Sequence, residues 1–164
     1  MRRAFAILAD FSQFYLENEE PSDDVYFQDP REFAQGFSLF ARKVGIATPN
    51  ETVSCEVEFE RVMEAPQAGS AVQVVSFPLE VIDAVYLRSV TEHDSKRRFA
   101  LESGTYDVLV RFFAKDAAPE YEASDLREWR VAISFAPPRT LGARCIRLEY
   151  GEPPDRIFVR PRVR

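Results

Sequence analysis

The chain has 164 residues, 46% of them hydrophobic and 29% charged, with a formal net charge of −6. A domain of that length buries roughly 70% of the surface its unfolded form exposes, so it holds a core without disulfide or metal staples. The acidic balance argues against a nucleic-acid binder, which presents a basic patch to phosphates, and fits a partner that is itself basic.

The opening M-R-R-A-F-A-I-L-A-D is basic and briefly apolar, but Asp10 interrupts it before it reaches signal-peptide length. No apolar stretch of about 20 residues follows, so a cytoplasmic protein is expected. F-A-I-L-A-D-F-S-Q-F-Y-L reads as an N-terminal strand covered on much of both faces. Residues 17–30 hold six acids and no base, and prolines at 21 and 30 make this segment a loop. Phe33, Phe37 and Phe40 recur at helical spacing and predict a short helical turn, which Gly36 weakens. Residues 41–47 resume extended structure, and Pro49-Asn50-Glu51 reads as a hairpin connection.

V-S-C-E-V-E-F-E then puts Val53, Cys55, Val57 and Phe59 on one side of a strand, with Glu56, Glu58 and Glu60 on the other. One face buries and one carries carboxylates into water. Val72–Phe77 and Leu79–Leu87 are extended pieces separated by Pro78, which belongs at an edge, a bulge or a crossing between sheets. A polar turn at 92–98 and the E-S-G turn at 102–104 lead into the strand Thr105–Phe113, where Tyr106, Val108, Val110 and Phe112 alternate. A long loop separates it from the strand Glu128–Phe135, with Trp129, Val131, Ile133 and Phe135 on its inner side. Arg144–Tyr150 predicts a last strand.

Eight or nine short strands with little helix predict an all-β fold: an antiparallel two-sheet β-sandwich with Greek-key or jelly-roll connections. Residues 1–150 are expected to form that single domain. Residues 151–164, with four arginines, two acids and prolines at 153, 154 and 161, form an edge strand or basic tail. Cys55 and Cys145 fall on opposite strand faces and read as free thiols in a reducing compartment.

Candidate chemistry is sparse. Glu56, Glu58 and Glu60 stand about 6.6–7 Å apart by strand rise, which overlaps the carboxylate separation of inverting glycosidases at roughly 6.5–9.5 Å. An acidic strand face is far more often a solvated surface, and sugar clefts need aromatic platforms beside the acids. His93, flanked by Glu92 and Asp94, lies in a polar turn without an apolar pocket. One histidine and two cysteines cannot supply a tetrahedral metal site, and the acids at 17–29 lack calcium-loop spacing. The six glycines stand singly, so no phosphate cradle exists. No enzyme activity, cofactor or metal is expected. Three segments concentrate negative charge: 17–29 with six acids, 51–64 with five against Arg61, and 116–128 with five against Arg127. Gathered on one surface they steer a basic partner; scattered, they are three solvated faces.

D-F-S-Q-F-Y-L at 10–16, K-V-G-I-A-T-P-N-E-T-V-S-C-E-V at 43–57, S-G-T-Y-D-V-L-V-R-F-F-A at 103–114 and W-R-V-A-I-S-F at 129–135 occur in an order that resembles the competence protein J family. The likeness covers residues 4–136 in pattern, and the arginine-rich C-terminal end departs from it. It implies a small β-sandwich that inhibits a DNA-entry nuclease by occupying its basic DNA-binding surface. No motif of the family assigns contact positions. This chain's own charge pattern points to Glu56, Glu58 and Glu60, supported by Asp23 and Asp24, against a basic protein partner such as a nuclease. The alternatives are a carbohydrate-binding or glycosidase-like jelly roll and a structural partner that homodimerises through an edge strand.

Overall fold

The computed structural model describes residues 2–9, 11–18, 29–40, 43–49, 53–91, 97–114, 128–138, 142–148 and 152–158. Among the described residues, eleven strands lie in two sheets. The first has six strands: β1 (Arg2–Ala9), β5 (Val53–Arg61), β10 (Glu128–Ala136), β9 (Gly104–Ala114), β6 (Gln73–Val81) and β11 (Arg144–Arg147), in that spatial order. The second has five: β3 (Phe37–Leu39), β4 (Lys43–Ala47), β2 (Gln13–Glu17), β7 (Ala84–Ser89) and β8 (Arg98–Ala100). A single helical turn, α1 (Pro30–Ala34), precedes β3. No helix among the described residues is long and apolar enough to cross a membrane.

All pairings are antiparallel except one, since β10 runs parallel to β5. The topology requires it. The chain leaves β5 and returns through residues 62–72 to begin β6 in the same direction, and the antiparallel pair β9/β10 then lies between them. Two opposed strands placed between two like-directed ones must leave one parallel neighbour. The returning segment crosses the outer face, where Ala68 and Ala71 pack with Val74, Leu109 and Phe113 in a small second apolar cluster.

Several local expectations are revised. The N-terminal apolar stretch is two strands in different sheets, broken at Phe11 and Ser12, whose φ angles are 55° and 58°. β2 is buried along its whole length, as a doubly covered strand should be, whereas β1 alternates between core and solvent. The aromatic spacing over 33–40 does not make a helix of that length. Asp29 caps α1 through its side chain while Glu32 returns the capping-box bond, and Gly36 at φ +80 stops it. A Cβ on Gly36 would stand 3.0 Å from Val75 Cγ1, so the position needs glycine for space as well as for φ. Pro49 does not begin a hairpin, because β4 and β5 belong to different sheets. Pro78 lies inside β6, opposite Asp107 of β9, and among the described residues β11 pairs with β6 only as far as Ser76, so no strand there asks Pro78 for the backbone donor it lacks. Residues 152–158 form no strand. They are held at α1, where Gln35 Nε2 donates to the Phe158 carbonyl, Gln35 Oε1 accepts from the Phe158 amide, and Arg31 lies 3.8 Å over the Phe158 ring.

The core fills the space between the sheets with the inward rows that alternation predicts: Cys55, Val57 and Phe59; Tyr106, Val108, Val110 and Phe112; Trp129, Val131, Ile133 and Phe135. The five-stranded sheet departs from the picture of one dry and one wet face. Opposite its core side, Gln13, Tyr15, Glu17, Ser38, Lys43 and Arg88 are buried as well. There Glu17 Oε1 accepts from Arg88 Nη2 at 2.8 Å with Lys43 Nζ at 3.7 Å, and Ser38 Oγ donates to Glu32 Oε1 at 2.6 Å.

Cys55 and Cys145 are free thiols, but not because they face opposite ways: Cys55 is in the core and Cys145 packs against it. β5 and β11 are four strand steps apart, roughly 19 Å at about 4.8 Å each, far beyond the reach of a disulfide. Burial pushes the Cys55 thiol up to about 12 and the Cys145 thiol up to about 11. Because the folded chain holds both protons more tightly, this contribution to stability is complete below the unfolded value near 9 and is lost as pH rises through about 11 and 12. Native protein at pH 7 should therefore react slowly with a colorimetric thiol reagent, Cys145 before Cys55. Two fast equivalents at pH 7 would contradict this placement.

Candidate functional site

The outer face of the six-stranded sheet carries the acidic row. Since β5 alternates strictly, Glu56, Glu58 and Glu60 all leave the core side, and cross-strand register decides what they meet. On β1 their partners are Ala6, Ala4 and Arg2; on β10 they are Arg130, Ala132 and Ser134. One strand further, Arg130, Ala132 and Ser134 stand opposite Phe113, Arg111 and Leu109 of β9.

The three carboxylates are not equivalent. Glu60, with 12% of its side chain exposed, accepts from Ser134 Oγ at 2.7 Å and from Arg111 Nη2 at 3.2 Å, and Arg2 Nη2 lies 3.3 Å from its second oxygen. Glu58 has Arg2 Nε at 3.7 Å, and Glu56 is exposed. Arg111 is half-buried, which lowers its pKa against the opposing pull of Glu60, and its Nε makes no hydrogen bond. Arg111 and Arg130 also stack toward the Phe113 ring, at 5.7 and 4.6 Å from its centroid. The face is thus a mixed-charge lattice rather than a bare acidic strip. Arg2 is 73% exposed, and pairs made by so mobile a side chain contribute about 0–1 kcal/mol, so Glu58 can exchange Arg2 for another cation at little cost. Glu60, held by two buried-side donors, cannot.

Arginines 111 and 130 fall outward by the same alternation that sends Val110, Phe112 and Val131 inward, so their direction is readable from the sequence. Their meeting with Glu60 and Phe113 depends on register between distant strands and is not. Asp23, Asp24 and His93 lie outside the described residues, as do most of the acidic segments 17–29 and 116–128. Two acids of the first segment are occupied within the fold: Glu17 in the buried cluster with Arg88 and Lys43, and Asp29 as a helix cap also paired to Arg31 at 2.6 Å.

The sequence profile of the competence protein J (ComJ) family matches residues 6–136. The chain belongs to that family. No curated protein matches this sequence. Among solved structures, the fold matches that of ComJ from Bacillus subtilis, described as an inhibitor of the DNA-degrading activity of NucA, with a TM-score of 0.58 and 13% identity. The match covers 83% of this chain and 99% of that one. The ComJ fold is therefore present nearly whole here; of the strands that build the outer face, β5, β10 and β9 lie within the matched span and β1 enters it at Ala6.

Proposed function

We propose that this chain is a non-enzymatic, cytoplasmic inhibitor of a DNA-degrading nuclease and binds that enzyme through the outer face of the six-stranded sheet. What carries the reading is family membership over residues 6–136, together with a fold that spans nearly all of a nuclease inhibitor. Carboxylates on a rigid sheet stand where DNA phosphates would, and a basic nuclease surface is steered to them. Glu56 and Glu58 are the contacts in this reading. Glu60 holds Arg111 and Ser134 in place beneath them, and Asp23 and Asp24 join the contacts on the strength of their charge in the sequence.

The test is plasmid degradation by the DNA-degrading nuclease of the same organism, with and without one equivalent of the purified chain. Cleavage should fall in proportion to the molar ratio. The double charge reversal Glu56→Lys with Glu58→Lys should weaken inhibition by about 10–100-fold, the usual range for losing close interfacial charge pairs, and added salt should slow association. Undiminished cleavage at equimolar chain would overturn the reading; full inhibition by the double variant would move the contacts elsewhere.

A further inference from the structure

The turn between β1 and β2 carries a conformation its residues do not favour. Phe11 and Ser12 both sit in the left-handed region, at φ 55° and 58°, where glycine or asparagine is the ordinary occupant and a bulky side chain is strained. The strain is not repaid by burial, because Phe11 is 61% exposed. Nor is the turn loose. The Ser12 carbonyl accepts from the Thr48 amide at 2.8 Å, and β2 begins at once in buried Gln13 and Phe14. A rigid corner thus holds an aromatic ring out into water, at a backbone position that selects against it. Strained positions that the surrounding structure over-determines cluster at functional sites.

Leu8 lies three residues before, at most about 11 Å along the chain, and is itself 40% exposed. It stands opposite Ser54, one outward position along from the Ala6/Glu56 pair. Leu8 thus continues the outward row that passes Glu56, and Phe11 follows it in the turn that ends β1, so two exposed apolar side chains stand within that distance of each other at this end of the sheet. Ala4 and Ala6, both exposed and small, stand directly beside Glu58 and Glu56 on β1 and leave that flank of the carboxylates open toward the strand's end at Leu8.

We infer that Phe11 is the apolar anchor of the inhibitory interface, entering a pocket of the nuclease whose rim is basic, with Leu8 at its edge and Glu56 as the neighbouring charged contact. This rests on the nuclease-inhibitor reading. Large aromatics in a partner's pocket, surrounded by weaker polar contacts, are the usual energetic centre of an interface, and an anchor already fixed in its bound orientation loses little freedom on docking.

The experiment measures binding of the same nuclease to the full chain and to Phe11→Gly and Ile82→Ala, with thermal melts of each. Removing an anchor of this kind should weaken binding about 10–100-fold. Glycine relieves the left-handed strain, so Phe11→Gly should melt no lower than the parent, which separates lost contact from lost fold. Ile82, 51% exposed in the turn between β6 and β7, lies away from β1 and β5, and Ile82→Ala should bind as the parent does. If the parent binds and Phe11→Gly binds equally, the anchor is overturned while the nuclease reading stands. A weakening shared equally by Ile82→Ala would mark general stickiness and also overturn it. If the parent does not bind, both fall together.

Discussion

Glu17→Ala should destabilise the chain by about 3–5 kcal/mol, lowering the melting temperature by roughly 6–20 °C. Glu17 is buried between Arg88 and Lys43, which are buried too, and Oε1 takes both of their contacts, at 2.8 and 3.7 Å. Its Oε2 accepts no hydrogen bond, so the carboxylate is held through Oε1, by the hydrogen bond from Arg88 and the charge of Lys43. Deleting it removes the carboxylate that the two buried cations share, and breaking a buried ionic set by taking away one member is costly because the remaining charges stay out of water. The companion variant separates charge from packing: replacing Glu17, Lys43 and Arg88 together by methionine should recover much of the loss, because well-packed apolar groups replace a buried ionic set at small net change. Chemical denaturation reads both. A loss below about 1 kcal/mol for Glu17→Ala would show that the cluster is solvated and behaves like a surface pair.

Phe59→Ala should cost about 3–5 kcal/mol, by removing buried area and leaving a cavity that the sheets cannot close. The Phe59 ring lies 5.6 Å from Phe5, 5.3 Å from Phe99 and 5.8 Å from Phe135, and Phe99 stacks on Phe135 at 5.7 Å. Phe99 belongs to β8 of the five-stranded sheet and the others to the six-stranded one, so this cluster joins the layers. Phe59→Leu should lose less, since the branched side chain keeps most of the apolar volume. Equal losses would indicate that ring geometry, not volume, holds the layers together; a loss under about 1 kcal/mol for alanine would mean the cavity collapses. Neither variant touches the outer face, so inhibition by folded protein should be unchanged at temperatures below the melt.

What was legible in the sequence was whatever depends on neighbours one or two residues away. Alternation placed Val57, Phe59, Val110, Phe112, Trp129 and Ile133 inward and Glu56, Glu58 and Glu60 outward, and each stands so. The family likeness was legible as well, in segments that fall within the matched span. The break at Phe11 and Ser12 was hidden because neither residue favours a positive φ, and an apolar run across it has the appearance of one continuous strand.

By itself, then, the sequence determined the fold class, the inward rows and the family, because side-chain direction in a strand is a local property with a period of two. Only the tertiary structure decided that β10 is the parallel neighbour of β5, that Glu17 lies buried between Arg88 and Lys43, and that Glu60 is tied to Arg111, Ser134 and Arg2. Each of those depends on which distant segments pair and in what register. A shift of one residue would send every carboxylate of β5 to the core side, and the energy that forbids it comes from the packing of both sheets together.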